Sequence, residues 1–162
     1  MGPTRFQGRS QQRSDDERGA ELVEFALIFV LLIALVYGII FYGLLLGAKV
    51  TLTQAAADGA RAGIVQTTAA LQKSAAVAQA ASDVSWMGKG TCGSTASTAD
   101  PITCVATEAP CTSNAANTCL TVTVTYSDYA SNPLIPAAPG LGILTPSSIV
   151  SQSTLQITTP TS

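Results

Sequence analysis

Apolar and polar positions divide the chain into an apolar N-terminal block and a longer, threonine-rich remainder. Residues 25–48 contain no Asp, Glu, Lys or Arg. A helix of this length extends about 36 Å at roughly 1.5 Å per residue, enough to cross a hydrocarbon core of about 30 Å. We therefore predict a polar leader over residues 1–19 and a long helix over 20–65, with its membrane-spanning segment at about 25–48.

The remainder of the chain has the patterns of a small α+β domain over residues 66–162. An alanine-rich run over 69–84 predicts a second helix. Leucine, valine and tyrosine alternate with threonine over 120–126, which predicts a half-buried antiparallel strand. Further strands are expected at 151–158 and, as a short one, around 102–105, so the domain would contain a short antiparallel sheet.

Two apolar features of this domain lie outside the predicted elements. Trp86 and Met87 are expected to form an apolar plug at the base of the loops after the second helix. The connection over 132–146 carries several large apolar side chains, and a loop of this length is usually functional or disordered. These side chains would either dock on a partner or the membrane surface, or pack over the domain's own sheet. They are Leu134, Ile135, Leu141, Ile143 and Leu144.

The distribution of basic residues predicts the orientation in the membrane. Four arginines precede the apolar block, and two basic residues follow it closely: Arg5, Arg9, Arg13 and Arg18, then Lys49 and Arg61. Because Lys and Arg accumulate on the cytoplasmic side, we expect a cytoplasmic N-terminus and an extracytoplasmic domain. A cleavable secretory signal is the alternative, although the apolar region of such a signal is only about 7–15 residues long.

All cysteines fall in the part of the chain expected to be exported. They are Cys92, Cys104, Cys111 and Cys119. An even number in an oxidising compartment predicts two disulfides that staple the loops, and three connectivities are open. No C-x-x-C spacing occurs, which argues against a zinc site or a thioredoxin-like site.

Composition argues against catalysis and against nucleic-acid binding. The chain has no histidine, which excludes Ser-His-Asp and Cys-His catalysis and removes the commonest metal ligand. The exported acidic residues are scattered, so no acid–base pair is expected. A net charge of −2 provides no basic field for a nucleic acid. We therefore predict no enzyme activity, no cofactor and no metal.

Small residues recur every four positions along the long helix. They are Gly43, Gly47, Thr51, Ala55, Gly59 and Gly63. Small residues at this spacing let helix backbones approach closely, which predicts a helix-packing role for the four glycines. The alternative is that an alanine-rich helix produces the spacing by chance.

Residues 17–27 read E-R-G-A-E-L-V-E-F-A-L, a polar leader that ends in glycine before an apolar helix with glutamate at its fifth position. This pattern strongly resembles the TadE-like pseudopilins of tight-adherence (Flp, type IVc) pili, whose N-termini read R-G-A-x-x-V-E-F-A-L. A second block over residues 52–63, L-T-Q-A-A-A-D-G-A-R-A-G, is similar to the same family. The resemblance covers about residues 17–65.

The resemblance implies a minor pilin or pseudopilin of a type IVc pilus in the bacterial inner membrane. A prepilin peptidase would cut after Gly19 and leave Ala20, with Glu24 and Phe25 near the new N-terminus. Glu24 would then pair with the amine of a neighbouring subunit. The implied partners are other pilins or pseudopilins, the peptidase, the inner-membrane assembly machinery and membrane lipid.

Two alternatives remain open at this stage. Glu24 could be a first-turn acid at headgroup level, where the helix dipole favours a negative charge. The chain could also be an uncleaved single-pass membrane protein that displays a small disulfide-bonded binding domain. Whether the N-terminus is cleaved distinguishes a processed pilin from an uncleaved single-pass protein.

Overall fold

The computed structural model describes residues 10–89, 92–97, 99–134 and 145–157, with side chains from Gly19 onward. Helices α1 and α2 span Ser10–Ile64 and Ala69–Val84, and a short 3-10 turn follows at Ser85–Met87. Strands β1, β2 and β3 span Ile102–Pro110, Thr118–Tyr126 and Ile149–Ile157. These elements confirm the α+β class. The chain divides into two compact units, residues 1–42 and residues 43–162, and we call the second the folded domain.

Helix α1 begins earlier than predicted from the sequence, and it ends close to the predicted end. It starts at Ser10, ten residues before the expected start at Ala20, and it ends at Ile64. The expectation treated Gly19 as a boundary. A single glycine costs only about 1 kcal/mol relative to alanine inside a helix, and the polar residues before it are adequate helix formers. The helix therefore continues through Gly19.

In the first unit, the described part of α1 is an apolar rod whose side chains are largely exposed. Large apolar residues from Leu22 to Ile40 leave about half or more of their surface uncovered. Among the described residues one helix, Gly19–Ile64, is long and apolar enough to cross a membrane by length and composition. A helix that is apolar on all sides is typical of a membrane span or of a helix buried in an assembly.

In the folded domain, the three strands form an antiparallel sheet in the order β1-β2-β3. The β1–β2 ladder runs from Ile102 opposite Tyr126 to Pro110 opposite Thr118. The β2–β3 ladder runs from Tyr126 opposite Ile149 to Thr118 opposite Ile157. The alternation predicted in β2 is confirmed, since its apolar residues are fully buried and its threonines lie on the other face. The buried residues are Leu120, Val122, Val124 and Tyr126.

Two strands are longer than their sequences indicated. Strand β1 has nine residues where a short strand around 102–105 was expected, and β3 starts at Ile149 instead of Ser151. Ala106 and Glu108 have weak strand preference, and β1 includes them because β2 offers a continuous ladder of partners. Pairing with the central strand therefore sets the length of both neighbours.

Helix α2 and the upper part of α1 supply the helical side of the core beneath this sheet. The buried residues of α2 recur every four positions: Gln72, Ala76, Ala80 and Val84. Those of α1 are mostly alanines: Ala48, Leu52, Ala55, Ala56 and Ala60. Small side chains on both helices allow their backbones to lie close together. The core of the folded domain is thus shared between the upper part of α1, α2 and the sheet.

The expected apolar plug at the end of α2 is half correct. Met87 is buried in the core, whereas Trp86 is 64% exposed. The two residues are adjacent in a tight 3-10 turn, so their side chains leave the backbone in different directions. Only one of them can point into the core. The plug interpretation is therefore wrong for Trp86.

Two tyrosines, Tyr126 and Tyr129, stabilise the connection between β2 and β3. The Tyr126 hydroxyl donates a hydrogen bond to the Asn132 carbonyl at 2.6 Å, and the Tyr126 and Tyr129 rings meet edge to face at 5.1 Å. The Tyr129 backbone N–H donates to the Ser147 carbonyl at 2.9 Å. Leu134 packs partly buried against the core. The other apolar residues predicted in this connection, Ile135, Leu141, Ile143 and Leu144, lie outside the described residues.

The buried Tyr126 predicts a loss of stability at high pH. Burial raises the pKa of Tyr126 to about 12, and the neighbouring Tyr129 adds to the effect. The unfolded chain ionises this phenol near pH 10. The folded state holds the proton longer, so its advantage is complete below pH 10 and declines as the pH rises toward 12. We expect a loss on the order of 2–3 kcal/mol over that interval.

Urea unfolding of the folded domain at a series of pH values measures this loss. Tyr126→Phe removes the ionisable group and should flatten the decline between pH 10 and 12. Part of the slope should remain, because burial also raises the pKa of Tyr129. Equal slopes for the wild type and the variant would contradict the prediction.

Candidate functional site

The residues of the expected processing site lie together on about two turns of α1. Gly19, Ala20, Glu24 and Phe25 are all helical and exposed. The ring of Phe25 stacks on that of Phe29 one turn further on, with centroids 5.7 Å apart. Among the side chains that the structure describes, no cation forms an ion pair with Glu24. The segment is exposed on all sides of the helix, and the Glu24 carboxylate is open to a partner.

The four glycines of the expected packing stripe divide into two pairs with different surroundings. A methyl group added at Gly59 would lie 2.7 Å from the Ala76 carbonyl oxygen. One added at Gly63 would lie 2.9 Å from the Gln72 carbonyl oxygen and would collide with the Leu120 side chain. These two glycines therefore lie where α1 meets α2 and β2 within one chain, and no larger side chain fits there.

The lower pair of glycines, Gly43 and Gly47, has open surroundings. A methyl group added at either position would meet no described atom within 4 Å. The sequence placed all four glycines on one stripe, but the folded domain covers only its upper end. A packing role for Gly43 and Gly47 stays a prediction.

The cysteines form two disulfides, each between consecutive cysteines of the sequence: Cys92 with Cys104, and Cys111 with Cys119. The first joins the segment before β1 to β1 itself, where the Cys104 N–H also donates to the Gly93 carbonyl at 3.1 Å. The second closes the hairpin between β1 and β2. There the Cys111 N–H donates to the Asn117 carbonyl at 2.8 Å. Both disulfides therefore stabilise irregular segments that adjoin the sheet.

Three described acidic side chains of the folded domain make local contacts. Asp58 pairs with Arg61 at 3.0 Å, and Glu108 lies 3.8 Å from the Lys73 ammonium. Gln79 donates a hydrogen bond to Asp83 at 3.0 Å. No group of three His, Cys, Asp or Glu residues that could hold a metal occurs within the described ranges. These contacts stabilise helices and join α2 to β1.

Taken together, the exposed apolar helix and the disulfide-bonded domain define a membrane-anchored single-pass protein with a small α+β domain. Residues 19–61 match the family model described as TadE-like protein. Over this segment the chain is similar to the TadE-like proteins of the tight-adherence pilus family, which confirms the resemblance noted in the sequence. The chain matches no curated protein and no solved structure.

The family likeness resides in the helix. The matched segment begins at Gly19, includes Glu24 and Phe25, and ends at Arg61, three residues before α1 ends. It therefore covers about a quarter of the chain. Helix α2, the sheet and both disulfides lie outside it. The family model therefore describes the apolar part of α1 and the part of α1 that continues into the folded domain.

Proposed function

We propose that this protein is a minor pilin or pseudopilin that is cut after Gly19 and takes part in assembly of a tight-adherence pilus. The observation that carries the proposal is the family match that begins at Gly19 and continues through α1. The residues that a peptidase would read, from Gly19 to Phe25, are exposed on α1. Other pilins, the prepilin peptidase, the assembly machinery and membrane lipid are the partners of this role.

Glu24 has a specific part in this proposal. A carboxylate within a membrane helix costs on the order of 2.5–3.5 kcal/mol at the bilayer centre and less near an interface. Cleavage after Gly19 creates a positively charged amine at Ala20. When subunits assemble in a staggered array, the Glu24 of one subunit pairs with the amine of the next, and both charges are neutralised in a medium of low dielectric constant. The pair favours the assembled state over the stored state in lipid.

The size of the folded domain supports a minor role over that of the main filament subunit. The major pilins that the resemblance implies consist of little more than the helix. Here residues 43–162 form a compact unit with a sheet and two disulfides. A unit of this bulk on every subunit would limit how closely helices can pack along a filament. At the tip of the pilus, or in an initiating or assembly-modulating role, the folded domain would not restrict the packing of helices along the filament.

The topology of the proposal has the N-terminus in the cytoplasm and the folded domain outside the inner membrane. The basic residues of the leader support this orientation through the positive-inside rule. The two disulfides support it as well, because disulfides persist in oxidising compartments. The peptidase would then act on the cytoplasmic side, and the apolar helix would stay in the bilayer after the cut.

N-terminal sequencing of protein extracted from membranes tests the proposal directly. The mature wild-type chain should begin at Ala20, whereas Gly19→Ala should keep its leader and should be absent from sheared pili. Glu24→Gln should be cut normally but should reach the pilus fraction at a strongly reduced level, because the amine has lost its counter-ion. Glu21→Gln is the matched control. It removes the same charge one turn away and should be cut and assembled like the wild type.

A wild-type chain that still carries Met1 or Gly2 would overturn the proposal. That result would favour the second candidate, an uncleaved single-pass protein that displays a small binding domain. One observation favours this alternative, namely that α1 begins at Ser10 and passes through Gly19 without a break. Under it, both Gly19→Ala and Glu24→Gln would leave the protein unaffected.

A further inference from the structure

We infer that Trp86 seats the folded domain on the headgroup layer of the membrane that α1 crosses. Trp86 is 64% exposed at the end of α2, although its neighbour Met87 is buried. An exposed indole is costly in water, whereas its apolar ring and its N–H group suit the boundary between water and lipid. The inference concerns a lipid surface and does not depend on cleavage or on pilus assembly.

The contacts between α1 and α2 establish the level of Trp86 along α1. Gly63 lies against Gln72 and Ala76, and Gly59 lies against Ala76 and Ala80. Each step of four residues down α1 thus matches a step of four residues along α2 in the opposite direction. The two helices are antiparallel, and α2 returns toward the apolar block as it ends.

Continuing the same spacing past Ala80 brings Trp86 to the level of Thr51 on α1. The uncharged apolar run of the sequence ends at Ala48. Thr51 is three residues further on, which is about 4.5 Å along the helix axis. The headgroup layers extend roughly 5–8 Å beyond each side of the hydrocarbon core. Trp86 therefore lies at the depth where tryptophan is enriched in membrane proteins.

Charged residues near this level are mixed in sign. Lys49 is exposed on α1 just below Thr51, and Lys89 follows Trp86 by three residues. Asp83 on α2 and Asp128 just after β2 carry the opposite charge. The inference therefore rests on the indole and its depth, and the occupant it specifies is the headgroup layer rather than an anionic lipid in particular.

The protein carries its own probe for this inference, because Trp86 is its single tryptophan. The full-length chain is reconstituted in phosphatidylcholine vesicles, and indole fluorescence is recorded. Lipid brominated near the headgroup should quench the emission more strongly than lipid brominated near the chain ends. Acrylamide in the aqueous phase should quench it several-fold less than it quenches a free tryptophan derivative.

A double variant, Trp86→Phe with Val65→Trp, is the matched control. Val65 is 73% exposed, and it lies in the turn between α1 and α2 at the opposite end of the two helices. Thr51 and Ile64 are 13 residues apart, which corresponds to roughly 20 Å of helix. An indole at position 65 should be quenched strongly by acrylamide and not by either brominated lipid.

Two results would overturn the inference. Trp86 emission that acrylamide quenches as strongly as it quenches the control variant would place the indole in bulk water. Emission that is shielded from acrylamide, unaffected by brominated lipid and dependent on the protein-to-lipid ratio would place it against a second protein molecule. Either result leaves the proposed pilus role untouched, since N-terminal sequencing decides that separately.

Discussion

Replacing Gly59 and Gly63 together by alanine is expected to lower the free energy of unfolding of the folded domain by about 3–4 kcal/mol. The added methyl groups would lie 2.7 Å from the Ala76 carbonyl oxygen and 2.9 Å from the Gln72 carbonyl oxygen. Backbone atoms of α2 cannot rotate away as a flexible side chain can, so the helices must separate. Overpacking of this kind costs about 1–3 kcal/mol per site, partly offset by the higher helix preference of alanine.

Thermal unfolding followed by circular dichroism measures the effect on the full-length protein in detergent. For a unit of this size the midpoint should fall by roughly 10 °C or more. The two substitutions share Ala76 as a neighbour, so their effects should not add simply. Each single variant is therefore measured beside the pair.

Gly43→Ala with Gly47→Ala is the matched control on the same helix. The chemical change is identical, and an added methyl group meets no described atom within 4 Å at either position. The midpoint should stay constant or rise slightly, because alanine favours the helix by up to about 1 kcal/mol per site. Equal destabilisation by both pairs would show that helix flexibility, not the contact with α2 and β2, explains the result.

Removing both disulfides is expected to leave the folded domain at most marginally stable. Cys92 and Cys104 are 12 residues apart, and Cys111 and Cys119 are 8 residues apart. In the chain-entropy account, closing a loop of that size stabilises the fold by about 3 kcal/mol. The two together amount to about 6 kcal/mol, which is comparable to the total stability of many domains. The variant with four Cys→Ser substitutions should be largely unfolded or rapidly degraded.

Limited proteolysis separates the two disulfides by the position of the cuts. Without Cys92–Cys104, the segment before β1 depends on hydrogen bonds such as the short bridge between Gly93 and Thr103, so the first cuts should fall at residues 92–101. Without Cys111–Cys119, the exposed hairpin tip should be cut at residues 112–117 while the strands persist. A reduced protein with an unchanged unfolding midpoint and no new cuts would contradict the prediction.

The strands show how far the pattern of residues determines the fold. The alternation of apolar residues and threonine in β2 encodes both the strand and its buried face, because side chains on a strand point to opposite sides in turn. The extent of β1 was not predictable. Ala106 and Glu108 adopt the strand because β2 pairs with them, and that partner is distant in sequence.

The candidate site shows the same division between local and distant information. The proposed processing motif is local, so Gly19 and Glu24 could be predicted from the sequence alone, and the family match covers both residues. The four-residue glycine spacing was equally visible. Its partner was not, since a small-residue stripe fits a neighbouring subunit as well as a second helix of the same chain. Only the position of α2 assigns Gly59 and Gly63 to an intramolecular contact.

The disulfide pairing and the exposure of Trp86 could not be predicted from the spacing of residues, because both depend on the three-dimensional fold. Three pairings of the cysteines were open. The β1–β2 hairpin sets Cys119 opposite Ala109 and brings the Cα atoms of Cys111 and Cys119 within 5.0 Å. Trp86 and Met87 are adjacent and both apolar, so the pattern alone could not separate the buried residue from the exposed one. The tight turn that ends α2 separates them.

The hydrogen bond between Thr53 on α1 and Ser151 on β3 has a consequence for biogenesis. The two hydroxyls lie 3.0 Å apart, although 98 positions separate them along the chain. The first and last described elements therefore complete one core. In the topology proposed above, the alanine face of α1 stays uncovered during export until residues through Ile157 have been translocated. A chaperone outside the membrane would find its substrate in that interval.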